Sequence, residues 1–183
     1  MITMTTTQGR SGYTGDLVKG VRHGQGQYQY PGLLTASYSG QWENGKKHGQ
    51  GTLQVPGAIY QGEFIEGQMT GYGTKTWYPD DQCTIDEGLE TYQGQFYNGE
   101  RHGYGTMRYK DGSEYKGEWN LGIKHGQGAL TYPDGSVFEG TFDQNKRHGP
   151  GILAAFDNSW TLEGKTRPEV IAKIYFGTTF ANG

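Results

Sequence analysis

Five histidines recur at one position of a repeated motif: His23, His48, His102, His125 and His148. Imidazole is the side chain best suited to metal binding or proton transfer near neutral pH. Spacing argues against a shared ion. Equivalent positions in consecutive two-stranded repeats stand ~9.5 Å apart, whereas the ligands of one zinc each lie ~2 Å from it. Each imidazole is therefore expected to close a turn by a hydrogen bond, with no metal. The Gly-x-Gly pairs after these histidines suggest a phosphate cradle at first sight. None is followed by Gly-Lys-Ser/Thr, and none lies between a strand and a helix. There is no nucleophile elbow and no His-Glu-x-x-His element. Catalysis needs side chains converging in a closed pocket, so the chain reads as a non-enzyme without cofactors.

The elements that carry these residues are set by the motif itself. It runs Tyr, any residue, Gly, any residue, a large apolar residue, a polar loop, and then usually His-Gly-x-Gly. The second copy reads Tyr38-Ser39-Gly40-Gln41-Trp42, then Glu43-Asn44-Gly45-Lys46-Lys47, then His48-Gly49-Gln50-Gly51. Copies start at Tyr13, Tyr38, Tyr60, Tyr92, Tyr115 and Phe138, with a degenerate seventh at Leu162. The spacings are 25, 22, 32, 23, 23 and 24 residues, too short for helix-pair repeats, which need roughly 33 or more. They suit two strands and two turns. Tyr115, Gly117 and Trp119 share one strand face, and Lys116 and Glu118 take the other. Asn44-Gly45 and Asn98-Gly99 are strong hairpin-turn signals. Gly20, Gly67, Gly122 and Asn145 fill the same slot in other copies. Pro31-Gly32, Pro56-Gly57, Asp111-Gly112 and Pro133-Asp134-Gly135 mark the return turns.

Composition narrows the core. Glycine makes up 33 of 183 residues, and hydrophobic residues only 32%, of which aromatics are 14% of the chain. Aliphatic material for a thick two-layer core is lacking, so rings must supply most of the buried area. A ring lying over a glycine covers backbone that has no side chain of its own, and rings are expected to stack across the glycines of neighbouring hairpins. The expected fold is all-β: an elongated, single-layer antiparallel meander of stacked β-hairpin repeats. A net charge of −3 gives no global basic field for nucleic acid. The single cysteine, Cys83, rules out an internal disulfide framework and suits a reducing compartment. Met1 to Gly9 lacks the apolar run of a signal peptide, and no stretch approaches ~18 apolar residues. A soluble, intracellular protein is expected.

On the Tyr-x-Gly-x-Trp and His-Gly-x-Gly elements, repeated in register over most of its length, the chain resembles the MORN-repeat proteins. The resemblance implies a string of hairpins forming an elongated twisted sheet with a groove. It also implies scaffold or adaptor work in cytoskeletal, ciliary or membrane-junction assemblies. Some MORN arrays accompany catalytic domains of lipid kinases or methyltransferases, so an accessory array cut from a larger enzyme is one alternative. The expected organisation is a flexible tail over 1–12, the array over 13–166 and a cap or tail over 167–183. The third copy departs from the pattern, with Thr70 for His, Phe64 for Trp, and an acidic insertion over 78–91 that holds Asp80, Asp81, Asp86, Glu87, Glu90 and Cys83. Thr166-Arg167-Pro168-Glu169 followed by Val170, Ile171, Ile174 and Tyr175 reads as a capping box opening a short terminal helix.

Two surfaces remain as binding candidates. The first is the aromatic face, a groove for a peptide or helix of a protein partner, formed by Tyr38, Trp42, Tyr60, Phe64, Tyr92, Phe96, Tyr115, Trp119, Phe138 and Phe142. The second is a basic hairpin-loop edge, Arg22, Lys46, Lys47, Arg101, Lys124, Lys146 and Arg147, set against acidic return turns with Asp111, Glu114, Asp134, Asp157 and the acidic insertion. Anionic phosphoinositides are its expected ligand. Homodimers through sheet edges are compatible with this design. The primary expectation is a cytoplasmic, non-catalytic scaffold associated with cytoskeleton or cilium that grips protein partners through the ring face. The alternative is a peripheral membrane module.

Overall fold

A computed structural model describes residues 12–32, 36–78, 89–157, 161–162, 165–166 and 169–175. Nearly all of the expected N-terminal tail lies outside the described residues, as does most of the acidic insertion, including Asp80, Asp81, Cys83, Asp86 and Glu87. The structure is all-β, and every regular element among the described residues is a strand. In chain order they are β1 (Tyr13–Val18), β2 (Val21–Gln29), β3 (Ser37–Glu43), β4 (Lys46–Val55), β5 (Ala58–Ile65), β6 (Gln68–Trp77), β7 (Glu90–Tyr97) and β8 (Glu100–Arg108). There follow β9 (Glu114–Asn120), β10 (Ile123–Thr131), β11 (Val137–Asp143), β12 (Lys146–Asp157), β13 (Thr161–Leu162), β14 (Lys165–Thr166) and β15 (Glu169–Tyr175).

The chain falls into two compact units, Met1–Glu100 and Arg101–Gly183. In the first, β1 to β7 pair in sequence order, every pair antiparallel. In the second, β8 to β12 do the same, β15 pairs with β12, and β13 and β14 form a separate two-stranded ribbon. Each unit is thus a hairpin meander, as the spacing of the motif requires. The first strand of each hairpin carries the Tyr-x-Gly-x-Trp element and the second carries His-Gly-x-Gly. Gly40 faces Gly51 on one side of the ladder, and Gly51 faces Gly62 on the other. The register slips once within hairpins, for example between Gly40 and Trp42, and such a bulge leaves one carbonyl and one amide outside the ladder.

The tyrosine answers the first of these orphans. Its hydroxyl reaches over the glycines and donates to the carbonyl three residues on: Tyr13 to Asp16 at 2.8 Å, Tyr38 to Gln41 at 2.9 Å, Tyr60 to Glu63 at 3.0 Å, Tyr92 to Gln95 at 2.9 Å and Tyr115 to Glu118 at 3.0 Å. The large residue at the end of the motif leans back onto the preceding hairpin. Trp42 Nε1 donates to Gly26 O at 3.1 Å, and Trp119 Nε1 to Gly105 O at 3.2 Å. So the tyrosine covers its own hairpin and the tryptophan covers the neighbouring one, which divides the expected stacking into two roles. The rings meet edge to face in an unbroken zigzag through the first unit, Tyr13–Trp42–Tyr38–Phe64–Tyr60–Phe96–Tyr92, with centroids 4.9 to 5.4 Å apart. In the second unit Trp119–Tyr115–Phe142–Phe138 continues the scheme at 4.9 to 5.6 Å. Each such pair contributes ~0.5–1.5 kcal/mol beyond the area it buries.

The C-terminal segment differs from expectation. Glu169–Tyr175 is a strand, not a helix, registered on β12 with Ile152 opposite Ile174, Ala154 opposite Ala172 and Phe156 opposite Val170. Val170, Ile171 and Ile174 are β-branched and stiff at χ1, which favours the pleated state. β12 also presents a row of unpaired amides and carbonyls that a helix could not satisfy. The local capping signal loses to that edge.

Hairpin turns show the demand for left-handed backbone. Asn44 and Asn98 have φ of 50° and 49°, followed by Gly45 and Gly99 at 81° and 87°. Leu121 occupies the same turn position with φ 47° and is 55% exposed. A leucine there is strained and gains little burial. Leu121→Asn should raise stability by ~0.5–1 kcal/mol, measured by urea denaturation; an unchanged or lower midpoint would contradict the turn assignment. Gly51 probes the ring layer instead. A Cβ at this position would collide with the Tyr38 ring, so Gly51→Ala should cost ~1–3 kcal/mol. Tyr38→Ala should then cost less in that background than in the parent protein.

Candidate functional site

The ten rings expected to form a partner groove lie on one face of their units, but they are not its surface. Tyr38, Trp42, Tyr60, Phe64, Tyr92, Phe96, Tyr115, Trp119, Phe138 and Phe142 are each at most 4% exposed. With no second layer among the described residues to cover them, they cover one another and the glycine backbone. Burial holds the phenols protonated: that of Tyr38 is pushed up to about 12, mainly by burial. Those of Tyr60 and Tyr115 are raised further by burial, with the nearby Glu63 and Glu118 adding to it.

Cations stand over the rings. The Arg22 guanidinium lies 4.5 Å from the Trp42 centroid and 5.0 Å from that of Tyr28. Lys47 Nζ lies 5.5 Å from Tyr38, 5.6 Å from Tyr30 and 5.7 Å from Phe64. In the second unit Arg101 sits 4.4 Å over Trp119, Lys124 4.8 Å over Tyr109 and 5.1 Å over Tyr115, and Arg147 5.2 Å over Phe138. Arg101 is also tied down by donating from Nη2 to Gly122 O at 2.8 Å. These are cation–π distances, found at this position in five of the six hairpins. Met69 takes the corresponding place in the third hairpin, opposite Phe64. Burial, and secondarily the Arg101 charge, lowers the Lys124 pKa from its ordinary 10.5.

The expected basic edge therefore splits. Arg22, Lys47, Arg101, Lys124 and Arg147 belong to the ring face, because each stands one residue before the His position and shares parity with the glycines. Trp42 faces Lys47 across the hairpin, and Phe142 faces Arg147. Lys46 and Lys146 are exposed at the loop end, and Lys46 is ion-paired with Glu66. Carboxylates follow the opposite parity. Asp16, Glu63, Glu118 and Glu139 lie on the polar face, while Glu90 in the first unit and the facing pair Asp157 and Glu169 in the second hold ring-face parity. The acidic return turns are engaged locally. Asp111 and Asp134 accept from the amide and hydroxyl of Ser113 and Ser136, at 2.8 and 2.6 Å in each turn. Those bonds hold both carboxyls below the usual range. Glu114 bridges Lys116 and Arg108, at 2.6 and 2.8 Å.

The histidines stand on the polar face. His48 Nδ1 is 3.2 Å from Glu43 Oε2, and His125 Nδ1 is 3.3 Å from Asp143 Oδ1. Among the described residues His48 Nδ1 nevertheless finds no hydrogen-bond partner, so the turn-closing bond expected of it is not formed. His23, His48 and Glu43 border a cleft of about 230 Å³ in the first unit. Among the described residues, no group of three or more His, Cys, Asp or Glu is placed to hold a metal ion.

Sequence reasoning missed the second bulge partner. The residue before the large motif position turns its side chain onto the amide nine residues on. Asp16 accepts from Gln25 N at 2.9 Å, Gln41 from Gln50 N at 2.8 Å, Glu63 from Tyr72 N at 3.4 Å and Glu118 from Gln127 N at 2.9 Å. The recurrence of Asp, Gln and Glu at that position was the available signal.

Hairpins that bury the rings of their first strand over paired glycines, with a cation above the rings in five of six, define a β-hairpin repeat protein. The MORN repeat model matches residues 13–32, 38–56, 60–82, 92–114, 115–137 and 138–159, and the chain belongs to the MORN-repeat family. Such repeats suggest a binding or scaffold role, and the family is generally non-catalytic. Comparison with curated proteins returns no significant match.

The buried phenols give the molecule an alkaline limit. A raised folded pKa means that stability is fully present below the unfolded value of 10.0 and is lost as pH climbs from there toward about 12. Urea denaturation across that range should show a falling midpoint, with tyrosinate absorbance appearing together with loss of the folded signal. Ionisation of Tyr38, Tyr60 and Tyr115 near 10 in the still-folded protein would contradict this burial.

Proposed function

We propose that the protein is a non-catalytic scaffold or adaptor, in which each unit presents a basic, ring-backed face to an acidic segment of a protein partner. The observation that supports this reading is the partition of charge between faces. In the first unit Arg22, Lys47 and Lys75 share the ring face with Glu90, and in the second Arg101, Lys124 and Arg147 share it, with Asp157 and Glu169 of the same parity only at the far end of β12 and on β15. The chain nevertheless carries a net charge of −3. The buried rings act as the bed that holds the cations, and the half-buried Tyr28, Tyr30, Tyr109 and Tyr132 flank them. A cation already resting on a ring loses less rotamer freedom when it meets a carboxylate, which favours binding. By family resemblance the setting is a cytoplasmic cytoskeletal or ciliary assembly.

The same cations favour a second reading, in which phosphoinositide headgroups occupy this face at a membrane, each Lys or Arg adding ~1 kcal/mol near an anionic surface. Charge reversal separates the two. Lys47→Glu with Lys124→Glu should cut recovery of a bound protein partner from cell lysate at least ~10-fold, about 1.4 kcal/mol. Lys46→Glu with Lys146→Glu should leave it within about twofold, since those side chains sit off the ring face. Urea midpoints confirm that both variants remain folded. If both double variants retain the partners, the ring-face reading fails. If only vesicles containing phosphoinositides lose binding with Lys47→Glu and Lys124→Glu, the lipid reading replaces it.

A further inference from the structure

The polar face of the first unit holds a groove of about 500 Å³ that the ring-face reading does not use. It runs across the strands. Its floor is backbone at Gly40, Gly51, Gly62 and Gly73, whose glycine side faces the rings beneath. One wall is a cross-strand ladder of hydroxyl and amide side chains, Ser39–Thr52–Gln61–Thr74–Gln93, directly opposite one another from β3 to β7. Gln50 and Tyr72 stand on the other wall, and Tyr72 is 55% exposed. Among the described residues, no charged side chain lines the groove itself. Glu63 stands in the row of the second wall, directly opposite Gln50, and turns its carboxylate to accept from the Tyr72 amide at 3.4 Å. The corresponding ladder of the second unit reads Thr106–Lys116–Ala129–Glu139–Ile152. The neutral ladder is thus particular to the first unit and is not demanded by the repeat.

The lining selects its ligand by chemistry. An anion would meet no counter-charge among the described lining residues, and a cation only the Glu63 carboxylate, which is already turned to the Tyr72 amide. An apolar ligand would strip water from amides and hydroxyls and give nothing back, at ~1–3 kcal/mol for each group left unpaired. An extended peptide adds to sheet edges, where it can complete a backbone ladder. A sugar hydroxyl is both donor and acceptor, as Ser, Thr and Gln side chains are, and the C–H face of a pyranose can lie on an exposed aromatic ring. The ladder offers one such group every ~4.8 Å, close to the length one pyranose adds to an extended glycan. We propose that this groove binds a neutral, linear oligosaccharide laid across β3 to β7, with one sugar ring stacked on Tyr72 and the ladder hydrogen-bonding its hydroxyls. The site is separate from the ring face and does not depend on it.

The test uses the full chain labelled with ¹⁵N and three probes at millimolar concentration: cellohexaose, mannohexaose and maltohexaose. Saturable shifts at Thr52, Gln61, Tyr72, Thr74 and Gln93 with at least one extended probe are expected, unchanged when salt is raised. Tyr72→Ala should weaken that binding ~10-fold, about 1.4 kcal/mol, whereas Tyr72→Phe, which keeps the ring, should bind nearly as well. The exposed position makes both variants compatible with folding, and dispersion of the spectrum confirms it. Any of three results overturns the proposal: no groove shifts with the three probes, shifts confined to the ring-face cations, or equal binding by Tyr72→Ala. Groove shifts that follow protein concentration without sugar would instead assign the face to a second copy or another protein.

Discussion

A single sheet must bury one face without a second layer, and a ring laid over a pair of glycines is how this chain does it. Gly51 has no side chain because Tyr38 occupies that space, and Gly128 none because Tyr115 does. The same placement carries each phenol hydroxyl to the carbonyl that the bulge leaves out of the ladder. Apolar burial and polar satisfaction are thereby met by one side chain. The edge-to-face zigzag then passes from hairpin to hairpin, so no hairpin is complete without its neighbour, as expected of repeat architectures. The sixth repeat shows which part is dispensable. Phe138 keeps the ring over Gly151 but lacks the hydroxyl, so ring coverage is common to all copies and the hydrogen bond is an addition.

Parity governs the charges as firmly as it governs the rings. A strand that points its glycines toward the rings must point the residue before His the same way. Arg22, Lys47, Arg101, Lys124 and Arg147 are therefore carried onto the aromatic bed. The residue preceding the large motif position faces away and is free to serve the bulge amide, as Gln41 and Glu118 do. An acid on the ring face would need desolvation beside ring faces whose quadrupole is negative, whereas a cation is attracted by it. The separation of charge is thus a physical consequence of the ring layer, whatever meets it from outside.

The hairpins, their turns and their ring face were legible because they rest on periods of two residues and on glycines at fixed offsets. What escaped depends on single-residue shifts. Lys46 and Lys47 are neighbours in sequence, and a loop drawn as one basic edge hides that they stand on different faces. Rings read as a groove floor are buried, since the sequence shows little aliphatic material for a second layer but not how closely rings cover one another. The terminal segment misled for another reason: the capping pattern at Thr166 to Glu169 is local, while the open edge of β12 is a long-range demand that only the assembled sheet reveals. The acidic insertion lies mostly outside the described residues, and its expected part in binding remains a property of the sequence alone.

The two faces carry different constraints, and this decides where specificity can reside. On the ring face nearly every position is fixed by packing: glycine under a ring, ring over glycine, cation over ring. Changes there act on stability first, and Trp42→Ala or Trp119→Ala would confound folding with binding. The polar face has no such obligation beyond the bulge-capping residues, since its side chains stand away from the core. Ser39, Thr52, Gln61, Thr74 and Gln93 in one unit can accordingly give way to Lys116, Ala129, Glu139 and Ile152 in the other at little cost to the fold. A repeat protein built this way can keep one face uniform for its own integrity and vary the other hairpin by hairpin. Its repeats then need not be functionally equivalent, even where their cores are interchangeable.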